Sequence, residues 1–166
     1  MKKDLFLGVF ILSLMVFIGA VFWQAQGMPE RVASHWNAAG IPNGWMPRAM
    51  EIGLFLAFGL GLSLFVPFIA YTFRWFPPDS LNVPNSAYWR APEHYPEACE
   101  IAFRSSLWTG AATALWAAHF HGLIAAANRK APPMLDAAAI THSSWILIGV
   151  LLVWTVYLWR RFSRIP

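Results

Sequence analysis

The stretch LFLGVFILSLMVFIGAVFW, residues 5–23, carries no charged side chain. At ~1.5 Å of rise per residue, a helix of this length covers roughly 28 Å, close to the thickness of a bilayer's hydrocarbon layer. In that solvent a backbone must satisfy its own amide groups, and a helix does so within a single segment. Three further apolar stretches follow. Ile52 to Phe73 is 22 residues and uncharged; Ser105 to Ala127 is 23 residues, rich in Ala and Trp, with two His. Ser144 to Trp159 is shorter and ends in aromatics, and its helix can begin just after Asp136. None alternates with a period of two, so all four read as helices. The expected fold is all-α: a polytopic four-helix membrane bundle in one domain over residues 1–166. Its spans lie at about 5–23, 52–73, 105–127 and 143–159, joined by loops 24–51, 74–104 and 128–142.

Composition agrees with lipid as the main solvent. Hydrophobic residues make up 58% of the chain and charged residues 12%, with ten Trp. A soluble domain is about 45–50% apolar and about 25% charged, whereas abundant Trp suits the two interfaces of a membrane. The single cysteine, Cys99, excludes an intrachain disulfide and any cysteine metal site, and reads as a small apolar filler. The net charge of +4 sits in loops and flanks, where topology explains it without nucleic acid. Lys2 and Lys3 before an apolar run also open a secretory signal. The run exceeds a typical signal core, however, and no clean small-x-small site follows, so it is expected to stay as a span.

Orientation follows from the basic residues beside the spans. Lys2, Lys3, Arg74, Arg90, Arg104, Arg160, Arg161 and Arg164 fall on one side; Arg31, Arg48, Arg129 and Lys130 fall on the other. The richer side is expected to be cytoplasmic, which puts both termini and the middle loop inside. Pro77, Pro78, Pro84, Pro92 and Pro96 forbid a long helix in that middle loop. Pro96 with Glu97 and Glu100 reads as the start of the third helix, and Glu100 can pair with Arg104 one turn on. Tyr88, Trp89 and Tyr95 are expected at headgroup level, and Asp136 as the N-cap of the fourth helix.

Helices in lipid associate through close backbone approach. Gly110, Ala114, Ala118, Gly122 and Ala126 repeat every fourth residue along one ridge of the third helix, and Gly59 with Ser63 gives the second helix a shorter version. These are the expected packing faces.

The first outward loop is the most distinctive segment. Arg31 to Trp36 can run extended, with turn chemistry in Asn37 to Gly40 and Pro42 to Gly44. His35, Trp36, Asn37 and Trp45 would form a polar and aromatic cap over the bundle. The run Pro29-Glu-Arg-Val-x-x-His35-Trp36-Asn37-x-x-Gly40-x-Pro42-Asn43-Gly44-Trp45, followed directly by a span, resembles a bacterial membrane domain of unknown function. That domain is best known as the N-terminal part of SdpI-type immunity proteins. The resemblance covers about residues 28–70 and implies a protein of the bacterial cytoplasmic (inner) membrane. The family often has proline where Ala33 stands and aspartate where Asn43 stands, so an acid that would favour a loop-bound cation is missing. SdpI itself is longer, with additional spans that have no counterpart here.

Histidine placement is the second lead. With this topology His35, His119, His121 and His142 share the outer side. His119 and His121 are two apart and diverge by about 200° on a helix, so they cannot grip one ion together. His121 and Asn128, seven apart, share a face. Interhelical hydrogen bonding is the expected role of His119, His121, Asn128 and His142, with no metal and no cofactor. No zincin pair, nucleophile elbow or phosphate loop is present. All eight acids, including Glu30, Glu51 and Asp136, fall in loops or flanks rather than inside spans. The expectation is a non-enzymatic membrane protein that binds a partner through His35, Trp36, Asn37, Gly40, Pro42, Asn43, Gly44 and Trp45. Candidate partners besides membrane lipid are a peptide toxin, a larger membrane complex or a second copy. The alternative is a small transporter or channel with a His-lined outer cavity; an intramembrane metalloenzyme ranks third.

Overall fold

The computed structural model describes residues 2–165; the side chains of Lys2, Lys3 and Asp4 lie outside the described set, so that basic pair is not placed. The chain is mostly helical. Helix α1 spans Lys2–Ala25, α2 Arg48–Thr72, α3 the short Ser86–Trp89, α4 Tyr95–Asn128 and α5 Ala137–Phe162. Two single 3₁₀ turns, Phe73–Trp75 and Pro78–Ser80, break up the proline-rich middle loop. Three helices are long and apolar enough to cross a membrane: Leu5–Ala25, Arg48–Trp75 and Ala137–Phe162.

The exception, α4, has a different composition because it has a different place. It packs against α1, α2 and α5, and Ser105, Ser106, Thr109, Gly110, Ala114, Ala117, Ala118, His121 and Ala125 are all buried along it. A helix surrounded by protein needs small residues more than oily ones. Phe17 and Val21 of α1 form a buried cluster with Ala114, Ala117 and Ala118, joined by Phe55 and Leu60 of α2.

Helices α2 and α4 approach closely at Gly110. Pro67 lies inside α2 and has no N–H for the carbonyl of Ser63 four residues earlier. Gly110 comes up against that carbonyl: a β-carbon there would sit 2.6 Å from the Ser63 oxygen and 3.0 Å from the Pro67 ring. The backbone group freed by proline is thus covered by a neighbouring helix's Cα, a common remedy within bilayers. Gly59 makes room for the Phe17 ring in the same way, with a β-carbon position 2.3 Å from it. The Ser63 hydroxyl donates to the Gly59 carbonyl at 2.7 Å and is satisfied within its own helix.

The fold is not purely helical. Arg31–Trp36 (β1) and Pro42–Pro47 (β2) form an antiparallel hairpin. The extended segment and the turn at Asn37 to Gly40 match the sequence reading, whereas Pro42 to Gly44 is strand rather than turn. Proline can open a strand because its missing N–H falls outside the ladder. Ala33 faces Trp45, His35 faces Gly44 and Trp36 faces Pro42, so Ser34 and Asn43 are left over as bulges on opposite strands. Asn37 Oδ1 accepts from the amides of Ala39 and Ile41 at 3.0 Å each, closing the turn. Gly40, at φ +74°, accepts from the Leu135 amide at 3.0 Å, and a β-carbon there would collide with the Leu135 carbonyl at 2.2 Å.

At the other end the middle loop folds back on the bundle. Trp89 is fully buried rather than set at a lipid-facing surface. Its indole N–H donates to the Phe162 carbonyl at 2.8 Å, and the Asn85 amide donates to the carbonyls of Phe162 and Ser163 at 3.2 and 2.9 Å. These bonds satisfy carbonyls that the last turn of α5 leaves free. The Tyr95 hydroxyl donates to the carbonyls of Phe73 and Phe76 at 2.6 and 3.0 Å. Tyr88 stacks on His94 at 3.9 Å. Helix α4 starts at Tyr95 with proline in its first turn, and Glu100 bonds Arg104 at 2.6 Å. Asp136 caps α5, its carboxylate accepting from the Ala139 amide at 2.9 Å.

Candidate functional site

Beneath the hairpin, the adjoining ends of α1, α2 and α4 each contribute one buried or half-buried polar side chain. Gln24 comes from the last turn of α1, Glu51 from the first turn of α2 and His121 from α4. Gln24 Nε2 donates to the Ala118 carbonyl at 3.2 Å, and this fixes the amide so that its Oε1 faces His121 Nδ1 at 2.7 Å. Gly122 leaves the room this needs, since a β-carbon there would lie 3.1 Å from Gln24 Nε2. Oε1 can only accept, so Nδ1 carries hydrogen. The other ring nitrogen, Nε2, points at Glu51 Oε2 from 3.4 Å.

His121 is 0% exposed and Glu51 5%. Neither Glu51 oxygen has a hydrogen-bond partner, and neither has His121 Nε2. A buried carboxylate without a partner costs on the order of several kcal/mol, and such groups persist where they serve a purpose beyond stability. Glu51 stands in the first turn of α2 rather than in the 24–51 loop where the sequence reading placed it, and the positive end of the α2 dipole favours it there. It is not, however, a solvated flank.

Glu51 borders a cavity of about 480 Å³ lined also by Ser34, His35, Met46, Leu54, Phe55, Phe58, Phe120 and Ile124, with its carboxylate oxygens and His121 sealed behind the wall. Phe55 stacks with Phe120, ring centroids 6.0 Å apart, and presents itself edge-on to His121 at 4.8 Å. The chamber therefore has an aromatic wall, an acidic floor and a histidine at its rim.

Asn128 fastens the roof. Its Oδ1 accepts from the Ala33 amide at 2.7 Å and its Nδ2 donates to the Ala33 carbonyl at 3.1 Å. Below, Val32 packs in a buried cluster with Ala25, Met28 and Ala125. Arg129 donates to the carbonyls of Gln24 and Gln26, tying the end of α1 to the end of α4.

The structure gathers some of the sequence-derived candidates and scatters others. His35 and Trp45 are exposed on the hairpin, as are Asn37 and Asn43. Asn37 and Gly40 hold the turn, and Gly44 clears space for His35, whose Cβ would be 3.0 Å from a β-carbon there. Pro42 opens β2, and Trp36 is half-buried with its indole N–H unpartnered. His121 and Asn128 are buried on one face of α4, whereas His119 points outward and exposed, and His142 is exposed on α5. Ala126, the last of the small-residue ridge, is also exposed. Among the described residues, no group of three or more metal-ligating side chains converges.

Residues 10–62 match the model of a domain of unknown function (DUF1648). The matched segment runs from mid-α1 through the hairpin into α2, so it holds Gln24, His35 and Glu51 but neither His121 nor Asn128. No curated protein and no solved structure matches the chain. The candidate site thus lies on the seam between the segment similar to that domain and the remainder of the chain.

Proposed function

We propose that the chain is a non-enzymatic, four-span protein of the bacterial cytoplasmic membrane, with both termini inside, whose hairpin cap receives a protein or peptide partner. The observation that carries this reading is the clamped cap. The hairpin is tied to α4 through Asn128 and to the 131–136 loop through Gly40, which leaves His35 and Trp45 exposed above the chamber. A rigid platform with an exposed aromatic loses little entropy on binding. Its likeness to the N-terminal part of SdpI-type immunity proteins makes toxin immunity one role for such a cap, beside sensing or service in a membrane complex.

Helix α4 as a fourth span rests on its length. At ~1.5 Å per residue, 34 residues reach about 51 Å, which covers the hydrocarbon and leaves the charged 97–104 turns beyond it. Cysteines introduced at exposed Asn43 and Asp79 should react with impermeant reagents from opposite faces of the membrane. Reaction from the same face would break the topology. Replacing His35 and Trp45 together with Ala should abolish partner co-purification while the bundle stays inserted, and unchanged capture would reject the cap as the binding face.

The buried Glu51–His121 pair favours a second reading, a small transporter or channel. It predicts solute or ion flux in liposomes that falls on His121→Leu, and a flat trace for the wild-type protein removes it.

A further inference from the structure

We propose that the Glu51 chamber is a binding site for an organic cation, a primary ammonium or guanidinium on an apolar stem, which enters in exchange for a proton held between Glu51 and His121. The proposal rests on the outward cap being the binding face and names the chemistry its partner would offer.

The network around His121 leaves the pair one positive charge short. Gln24 is oriented by Ala118 and takes the hydrogen on Nδ1. Nε2 of a neutral ring therefore presents a lone pair to the carboxylate 3.4 Å away. Two facing lone pairs in a buried site repel, and nothing else on the protein reaches them, since Nε2 and both carboxylate oxygens are unpartnered. One proton relieves the conflict, whether it sits on the imidazole or on the carboxyl group. An ammonium relieves it equally, donating to Glu51 and to Nε2 once the side chains that seal these atoms from the chamber move aside. The exchange balances: the incoming cation displaces one proton to solvent, and the site's net charge does not change.

The walls select the kind of cation. Two donors, Glu51 and His121, are too few to strip a metal ion of its water. Phe55, Phe58 and Phe120 offer ring faces and apolar surface suited to an alkylammonium or guanidinium stem. Other charged or titratable groups near the chamber are accounted for. From the hairpin, His35 lines the rim. From α2, Arg48 donates to the Met28 carbonyl, and from α4, Arg129 donates to carbonyls at the end of α1. The polar side chain that α1 sends, Gln24, is neutral. His35 is the imidazole in the chamber's lining.

The test uses the full chain in nanodiscs of phosphatidylcholine, with butylammonium and its neutral counterpart butanol as probes, followed by calorimetry. The expected result is saturable butylammonium binding that is roughly tenfold or more tighter than butanol binding. It should weaken as pH falls, with proton release on binding. Glu51→Gln keeps the shape of the side chain and should reduce butylammonium affinity to that of butanol. Equal binding of amine and alcohol by the wild type would overturn the proposal without any variant. Unchanged amine affinity in Glu51→Gln, or pH-independent affinity, would do the same. Should partner capture survive loss of His35 and Trp45 while amine binding persists, the cap reading fails and the cation site stands.

Discussion

The two ends of the bundle handle buried polar groups in opposite ways. At the end away from the hairpin, Trp89, Asn85 and Tyr95 each hand a hydrogen to a carbonyl that a helix or turn has left free, and the ion pairs Arg104–Glu100 and Arg161–Glu97 lie at the surface. Every one of these contacts closes an account within the fold. At the hairpin end, Asn128 and Gln24 are equally well placed, yet they surround a carboxylate and an imidazole nitrogen that face each other at 3.4 Å without a hydrogen bond. The difference separates a region built for stability from one that gives stability up, which is the mark of a site.

The sharpest way to break this contrast is at Gly40. Gly40→Val forces a β-branched residue into φ +74° and drives its Cβ into the Leu135 carbonyl. It should cost about 3 kcal/mol, read as a lowered melting temperature in detergent together with faster proteolysis in residues 31–47. Asn128→Leu comes next. It leaves the buried amide and carbonyl of Ala33 without partners, at about 2 kcal/mol, and amide exchange at Ala33 should accelerate while α5 is unaffected. At the end away from the hairpin, Trp89→Phe keeps an aromatic ring but removes the donor to Phe162, for about 1 kcal/mol, measured by the same melt.

Glu51→Gln sharpens the contrast by moving the opposite way. The buried acid becomes a neutral amide that can donate to His121 Nε2 without a shared proton, so the melting temperature should rise, by the equivalent of about 1 kcal/mol. A fall would mean that Glu51 is structural. The smallest effect concerns Cys99. Burial pushes its thiol above the ordinary range, only partly offset by the Tyr95 hydroxyl and by Arg74. The thiolate is the reactive form, so maleimide labelling of the folded protein should be at least roughly tenfold slower than that of free cysteine near neutral pH and should quicken as pH rises.

Helix positions were legible because their physics is local: uncharged runs of sufficient length, Pro96 in a first turn, Asp136 at a cap. The turn at Asn37 to Gly40 was legible for the same reason. The second strand was not, because Pro42-Asn43-Gly44 carries turn residues whose role as a bulged strand depends on pairing with β1. Trp89 shows the limit of composition: a Trp in a loop beside a membrane looks like an interface anchor until its N–H finds Phe162. The site divided along the same line. His121 and Asn128 were visible as polar residues sharing a face of an apolar helix. Gln24 and Glu51 were not, since a polar residue one turn from a helix end is ordinarily solvated, and only the hairpin folding over them takes the water away.

Asn128 has one more effect. By pairing with both the amide and the carbonyl of Ala33, its carboxamide behaves as a single residue of a third strand. That side of β1 is therefore closed to strand addition by any other polypeptide. A partner that extends this sheet has only the β2 side open to it, the side that begins at Pro42, and proline withholds the first donor there.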